Sequence, residues 1–315
     1  MKTKFCKFMV MNAKNKISNI KKLVPASLLG RPLLNKLIIN SLFDWLLILA
    51  SVFVYLSYEN IYLQLSCIVL TSTRFHSFGV ILHDVCHMSL KDKNIKMRII
   101  EFLTGYPSGT SANAMKYHHI RHHQNTCLDN DPYFKKSMQG NLWLKIFYSL
   151  RSCIIIPFWH LRPLLGIPAF YISSLRNSYA KIFLQDRSRN KNLKYSSEVN
   201  ICCFEDHFQL IFSMFLFYLL QSAGLMSFYL FSVALTGVTA GHRLIREHQH
   251  VEVQSRDIST VLQNTNDHNL KGIGKFFFAP RNIGYHKVHH LHPQVAWYNL
   301  PKLRQWYMEQ LNDFY

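Results

Sequence analysis

The chain has 315 residues and a formal net charge of +19, yet 49% of it is hydrophobic and 14% aromatic. That pairing excludes an ordinary nucleic-acid module: Tyr and Phe sit in apolar runs instead of alternating with Lys and Arg, and no RRM, KH, zinc-finger or homeodomain pattern is present. It suits a membrane protein with basic cytoplasmic surfaces. Seven cysteines form no C-x2-C pair, and Cys202 and Cys203 are adjacent, so a disulfide framework is not expected and a reducing compartment fits.

In chain order, residues 1–37 form a basic arm with nine Lys or Arg and no acidic residue. Its sparse serine and lack of Arg before Arg31 argue against a transit peptide, and Lys4, Lys7 and Lys14 interrupt any signal-peptide core. Residues 38–57 are long and apolar enough to cross a bilayer, with Asp44 as their only charge, and residues 61–82 form a second apolar stretch. Only Ser57–Asn60 lies between them, which predicts a hairpin. A second pair is expected at 208–221 and 224–241. The apolar region 146–175 is broken by Arg151, His160, Arg162 and three prolines, so an interfacial or re-entrant segment is expected there. The short turns inside the hairpins carry no Lys or Arg, so the positive-inside rule puts both termini on the cytoplasmic side. The resulting expectation is one all-α integral-membrane domain, residues 38–315. Two transmembrane hairpins of about four spans would lie under a cytoplasmic helical cap.

Three histidine clusters carry the chemistry. The first is His83-Asp84-Val85-Cys86-His87. The second runs from His118 to His123, and the third contains His286, His289 and His290. On a helix, positions i, i+3 and i+4 share a face, so each cluster aims its imidazoles at a common point. So many partnerless imidazoles would be costly to bury, whereas metal ions satisfy them. The first cluster lacks the glutamate of a zinc-protease helix, and thiolate ligands for a structural zinc are absent. Only Glu247-x-x-His250 matches the Glu-x-x-His element of carboxylate di-iron bundles. An imidazole-rich site for a redox metal remains, pointing to a pair of irons. Its position beside apolar hairpins implies a long, lipid-like substrate.

These residues resemble the membrane fatty acid desaturase family, whose pattern is H-x3-4-H, H-x2-HH and H-x2-HH. HDVCH followed by Met88-Ser89 is similar to the family's first box. Residues 118–133 (HHIRHHQNTCLDNDPY) resemble a bacterial form of the second box, leading to an Asp-Pro element. Arg246-Glu247-His248 resembles a short element supplying one further histidine. Residues 282–303 (NIGYHKVHHLHPQVAWYNLPKL) resemble the family's ending, with Ala296 and Trp297 where a proline is common. The likeness covers roughly residues 38–305.

That resemblance implies a non-haem di-iron centre held by His83, His87, His119, His122, His123, His248, His286, His289 and His290, with no catalytic residue separate from these ligands. His118 is the alternative to His119. Metal-bound imidazoles need outer partners, for which Asp84, Asp129, Asp131, Glu247 and Asn282 are candidates. His242, His250 and His292 lie near the clusters, whereas His160, His207 and His268 have no partner at ligand spacing. The activity implied is oxygen-dependent desaturation of a fatty acyl chain, lipid-linked or thioester. The alternative is a hydroxylase or ketolase of a fatty, sphingoid or carotenoid substrate. No haem-binding module is visible, so a ferredoxin or cytochrome b5-type protein is expected to bring electrons. A non-catalytic metal transporter is the rival of another class, but it would place ionisable residues within the spans.

Overall fold

The computed structural model describes residues 19–91, 93–188, 192–255, 257–268 and 270–311. Residues 1–18 of the basic arm lie outside the described residues. Among them the fold is helical without a strand; the one isolated bridge pairs His248 with Thr265. In chain order the helices are α1 (Leu34–Ser57), α2 (Ile61–Cys86), α3 (Ile95–Ile100), α4 (Ala112–Asn125), α5 (Leu142–Arg151), α6 (Ile155–His160) and α7 (Pro163–Tyr171). They continue as α8 (Arg176–Phe183), α9 (Ser197–Ser222), α10 (Met226–Glu247), α11 (Ile258–Asn264), α12 (Gly272–Phe278), α13 (His286–Leu291) and α14 (Leu300–Gln310).

Polar caps set the helix starts. Asn60 accepts from the N–H groups of Tyr62 and Leu63, beginning α2 at once after the turn from α1. Ser111 caps α4, Asn141 caps α5 and Ser196 caps α9 in the same way. Gly224, at φ 68°, makes the turn between α9 and α10.

Four helical stretches are long and apolar enough to cross a membrane: Leu34–Ser57, Ile61–Cys86, Leu142–His160 and Ser197–Ser222. The first hairpin matches the sequence expectation, with α2 running one turn further so that His83 rides on its end. Helix α9 begins well before the expected residue 208 because its early charges are neutralised inside the protein. Asp206 accepts from Arg162 at 2.7 Å, and Glu205 accepts from Lys93 at 2.5 Å. Helix α10 is continuous, as expected for 224–241, but its glycines, threonines and hydroxyls leave it less apolar than those four. Instead Leu142–His160 reaches that threshold, although a 3-10 turn at Ser152–Ile154 breaks it beside Arg151.

Large apolar side chains face outward along the bundle: Ile39, Phe43, Leu46 and Phe53 on α1, and Ile211, Phe215 and Tyr218 on α9. A belt of this kind marks a lipid-facing surface. Inside, Phe75, Phe78, Tyr229 and Val233 join α2 to α10, and Leu37, Ile81, Val85 and Ile100 join α1, α2 and α3. Glycines permit close crossings: a Cβ on Gly237 would lie 2.1 Å from the Ser152 carbonyl oxygen. At the end that carries the histidines, α13 and α14 pack through Val288, Leu291, Leu303 and Tyr307 onto Val24, with Ile20 and Leu28 alongside.

Candidate metal centre

Nine buried or half-buried histidines gather where α2, α4, α10 and α13 meet. Helix α2 carries His83 in its last turn with His87 as its C-cap, and α4 presents His119, His122 and His123 over its last two turns. His248 follows α10 in extended conformation, and His286, His289 and His290 occupy the single short helix α13. These side chains fall into two groups. His83, His87, His119, His123 and His289 form one; His122, His248, His286 and His290 form the other, each with its nitrogens within 4.8 Å of one another. Every position that sequence resemblance named as a ligand lies in one group or the other.

Neighbours in sequence separate here. His122 and His123 project into different groups, as do His289 and His290. A helical step of one residue turns a side chain by about 100°, so an HH pair on one helix can serve two centres.

Within the groups, nitrogens face nitrogens. Nε2 of His87 lies 3.0 Å from Nε2 of His119, which lies 2.9 Å from Nε2 of His123, which in turn lies 3.0 Å from Nε2 of His289. Nε2 of His286 is 3.0 Å from those of both His248 and His290. Chains of imidazoles cannot all be donor and acceptor to each other. Ligands held about 2.1 Å from a shared cation would show such spacing. The buried Nε2 of His122 has no hydrogen-bond partner at all. Burial first, and then neighbouring charges, hold His119, His123, His248, His286 and His289 well below the ordinary histidine value. They are neutral at pH 7, with lone pairs available to metal. The donor set therefore fits two cations that accept nitrogen ligands.

Carboxylates stand behind the rings. Asp131 accepts from Nδ1 of His122 at 2.8 Å, and also from the backbone N–H groups of Cys127 and Tyr133. Asp84 lies 3.6 Å from Nδ1 of His83 while accepting from the Trp297 N–H, and Glu247 lies 3.6 Å from Nδ1 of His286 while paired to Arg243. Asp129 is exposed, and Asn282 donates to the Trp297 carbonyl.

The remaining histidines have other surroundings. His118 shares a 2.7 Å hydrogen bond with the Tyr133 hydroxyl, leaving its neighbour His119 to join the cluster. His160 bonds Ser213 and Tyr229, His292 bonds Tyr307, and His207 bonds its own helix at the Phe204 carbonyl. His242 packs near Phe278, His250 near Phe134, and His268 lies 3.6 Å from Glu247.

A cavity of about 210 Å³ runs up to both groups. Phe75, Gly79, Leu82, Ile155, Trp159 and Ala240 give it apolar walls, and His83, His119, His122 and His286 also line it. Sequence reading missed three of its contributors: Tyr133, whose ring stacks on His122 at 4.4 Å, Trp159, and Arg243, which pairs with Glu247. Only Arg243 left a trace, as the R-x-x-x-E-H spacing before His248.

A family model described as fatty acid desaturase matches residues 59–315. No curated protein matches the chain. The match spans α2 to the C-terminus, covers all nine histidines, and accounts for a histidine cluster facing an apolar cavity among apolar helices. The chain is thus an oxidoreductase-type membrane enzyme acting on a lipid substrate, and it belongs to the fatty acid desaturase family.

Proposed function

We propose that this enzyme desaturates a fatty acyl chain, using dioxygen and a non-haem di-iron centre. The observation that carries the reading is the apolar cavity lined by histidines of both groups. Two irons held by the nine histidines would supply the activation of dioxygen and the removal of hydrogen. A methylene pair would become a double bond as one dioxygen, two electrons and two protons become two waters.

The protein's own residues supply placement. Walls of Phe75, Leu82, Ile155 and Trp159 exclude water and hold the chain so that one methylene pair lies against the histidines. Asp131 keeps the proton of His122 on Nδ1, directing its Nε2 lone pair inward. Asp84 and Glu247 stand in comparable positions behind His83 and His286.

In the membrane, the hairpins α1–α2 and α9–α10 would cross, with residues 142–171 lying along the interface. Supporting that placement are the exposed Arg151 within the segment and the outward stripe of Leu142, Trp143, Ile146, Phe147 and Leu150 on α5. The basic arm, both termini and the histidines would then be cytoplasmic. Residues 1–37 would serve as an arm on a single domain of residues 38–315. A separate ferredoxin or cytochrome b5-type donor would deliver the electrons from that side.

The test is mass spectrometry of lipids from a host expressing the chain. Chains lighter by two hydrogens, formed only with oxygen present, support desaturation. Chains heavier by one oxygen would replace it with hydroxylation at the same site.

A further inference from the structure

One buried histidine takes no part in the two metal groups. His76 lies on α2 seven residues before His83, which is two helical turns, about 10 Å along the axis. It is 3% exposed, and neither of its ring nitrogens has a hydrogen-bond partner. The Phe277 carbonyl stands near the ring without completing a hydrogen bond.

His76 lines the apolar cavity, and so does Arg243. Nε of Arg243 is likewise buried without a partner, while Nη1 is tied to Glu247. Helices α2 and α10 run side by side in one direction: Cys67 packs with Leu225 and Phe228 near their starts, and the Thr236 hydroxyl donates to the Ser72 carbonyl at 2.9 Å. In that register Arg243 stands one turn before Glu247, and His76 two turns before His83. Gly79 lies between His76 and His83 on the same wall. A Cβ built on it would meet nothing within 4 Å, so open space lies beside this stretch of α2.

A polar group buried without a partner is costly, and two in one apolar cavity call for an occupant that pairs with them. Neutral imidazole has one N–H and one bare nitrogen. The Phe277 carbonyl can only accept, so it favours the N–H on its own side and leaves the other nitrogen as an acceptor. Guanidinium only donates. The pair thus offers one acceptor and one donor, and an alcohol hydroxyl both donates and accepts.

We propose that the cavity takes a lipid chain bearing a hydroxyl group, and that His76 and Arg243 recognise that hydroxyl away from the methylene pair that reacts. The inference rests on the reading of the cavity as an acyl site and adds the substrate class: a hydroxylated chain, not a plain saturated one.

Binding to the purified full-length protein tests this. The probes are methyl stearate, methyl hydroxystearates with the hydroxyl moved along the chain, and the matching ketones. At least one alcohol should bind about fivefold or more tightly than methyl stearate, and isomers with the hydroxyl elsewhere should lose that advantage. His76→Phe should bring the ratio to about one, whereas His76→Gln, which keeps a donor and an acceptor, should retain part of it. No preferred alcohol in the natural protein, a ratio unmoved by His76→Phe, or ketones preferred over alcohols would overturn the proposal. The first and last of these are read on the natural protein and stand whether or not a variant folds. Methyl stearate bound with no alcohol preferred would remove this proposal alone. If no ester binds at all, the acyl reading falls and this proposal falls with it.

Discussion

Asp131 accepts a 2.8 Å hydrogen bond from Nδ1 of His122. A carboxylate only accepts, so the proton stays on Nδ1, and Nε2 keeps the lone pair that a metal needs. The same carboxylate accepts from Cys127 and Tyr133, so the loop after α4 is tied to the tautomer of one ligand. Asp131→Asn should weaken metal binding by about 10- to 100-fold. Metal titration of the purified variant checks this, and unchanged affinity would reduce Asp131 to a loop fastener.

A second tie acts from within the hairpin. Arg281, three residues after α12, donates to Asp44 on α1 at 2.6 Å, and Asp44 also accepts from Arg74 and Ser77. Arg281 and Asn282 adopt left-handed backbone, with φ of 51° and 59°, just before the histidines of α13. Asp44→Ala would leave the buried Arg74 and the half-buried Arg281 without their carboxylate, a loss of about 3–5 kcal/mol. Thermal unfolding in detergent should show a large fall in Tm. A small change would mean that water or Asn40 compensates.

Acid should destabilise the apoprotein. Burial, then nearby cations, lowers His118 to about 3 and His250, His268 and His292 to about 4. An unfolded chain takes up these protons near pH 6.5, while the folded protein refuses them. The unfolded state therefore binds more protons, and stability falls progressively as pH drops from about 6.5 towards 4. Tm measured between pH 7.5 and 5 should decrease; a flat profile would show these rings to be better solvated than their burial implies.

The crossing of α10 with the turn after α5 has no room for a methyl group at Gly237. Gly237→Ala should cost about 1–3 kcal/mol through overpacking. Because Gly237 and Ser152 both line the apolar cavity, chain binding should weaken as well. Unaltered stability would mean that the two segments part freely.

Much of this architecture was readable from spacing. The i, i+3, i+4 pattern brought His119, His122 and His123 to one end of α4, and long apolar runs located the first hairpin. Long-range charge pairing was not readable. Asp206 and Glu205 made the start of α9 look too polar for a long apolar helix, because Arg162 and Lys93, far away in sequence, neutralise them. The splitting of His122 from His123 depends on where α2 and α13 stand. The hollow lined by Lys135, Arg151, Lys181 and Arg187 likewise exists only once those separate stretches are folded together. His118 and His119 were a genuine ambiguity of spacing, separated in the fold by the Tyr133 hydroxyl.

On the proposed reading, adjacent histidines serve two different irons. Protein made with ample iron should carry two irons per chain. His289→Ala, which alters one group, and His290→Ala, which alters the other, should each lower the count towards one while the protein still inserts in the membrane. Metal analysis of the three proteins measures this directly. One iron in the unaltered chain, or stoichiometric zinc that iron does not displace, would contradict it.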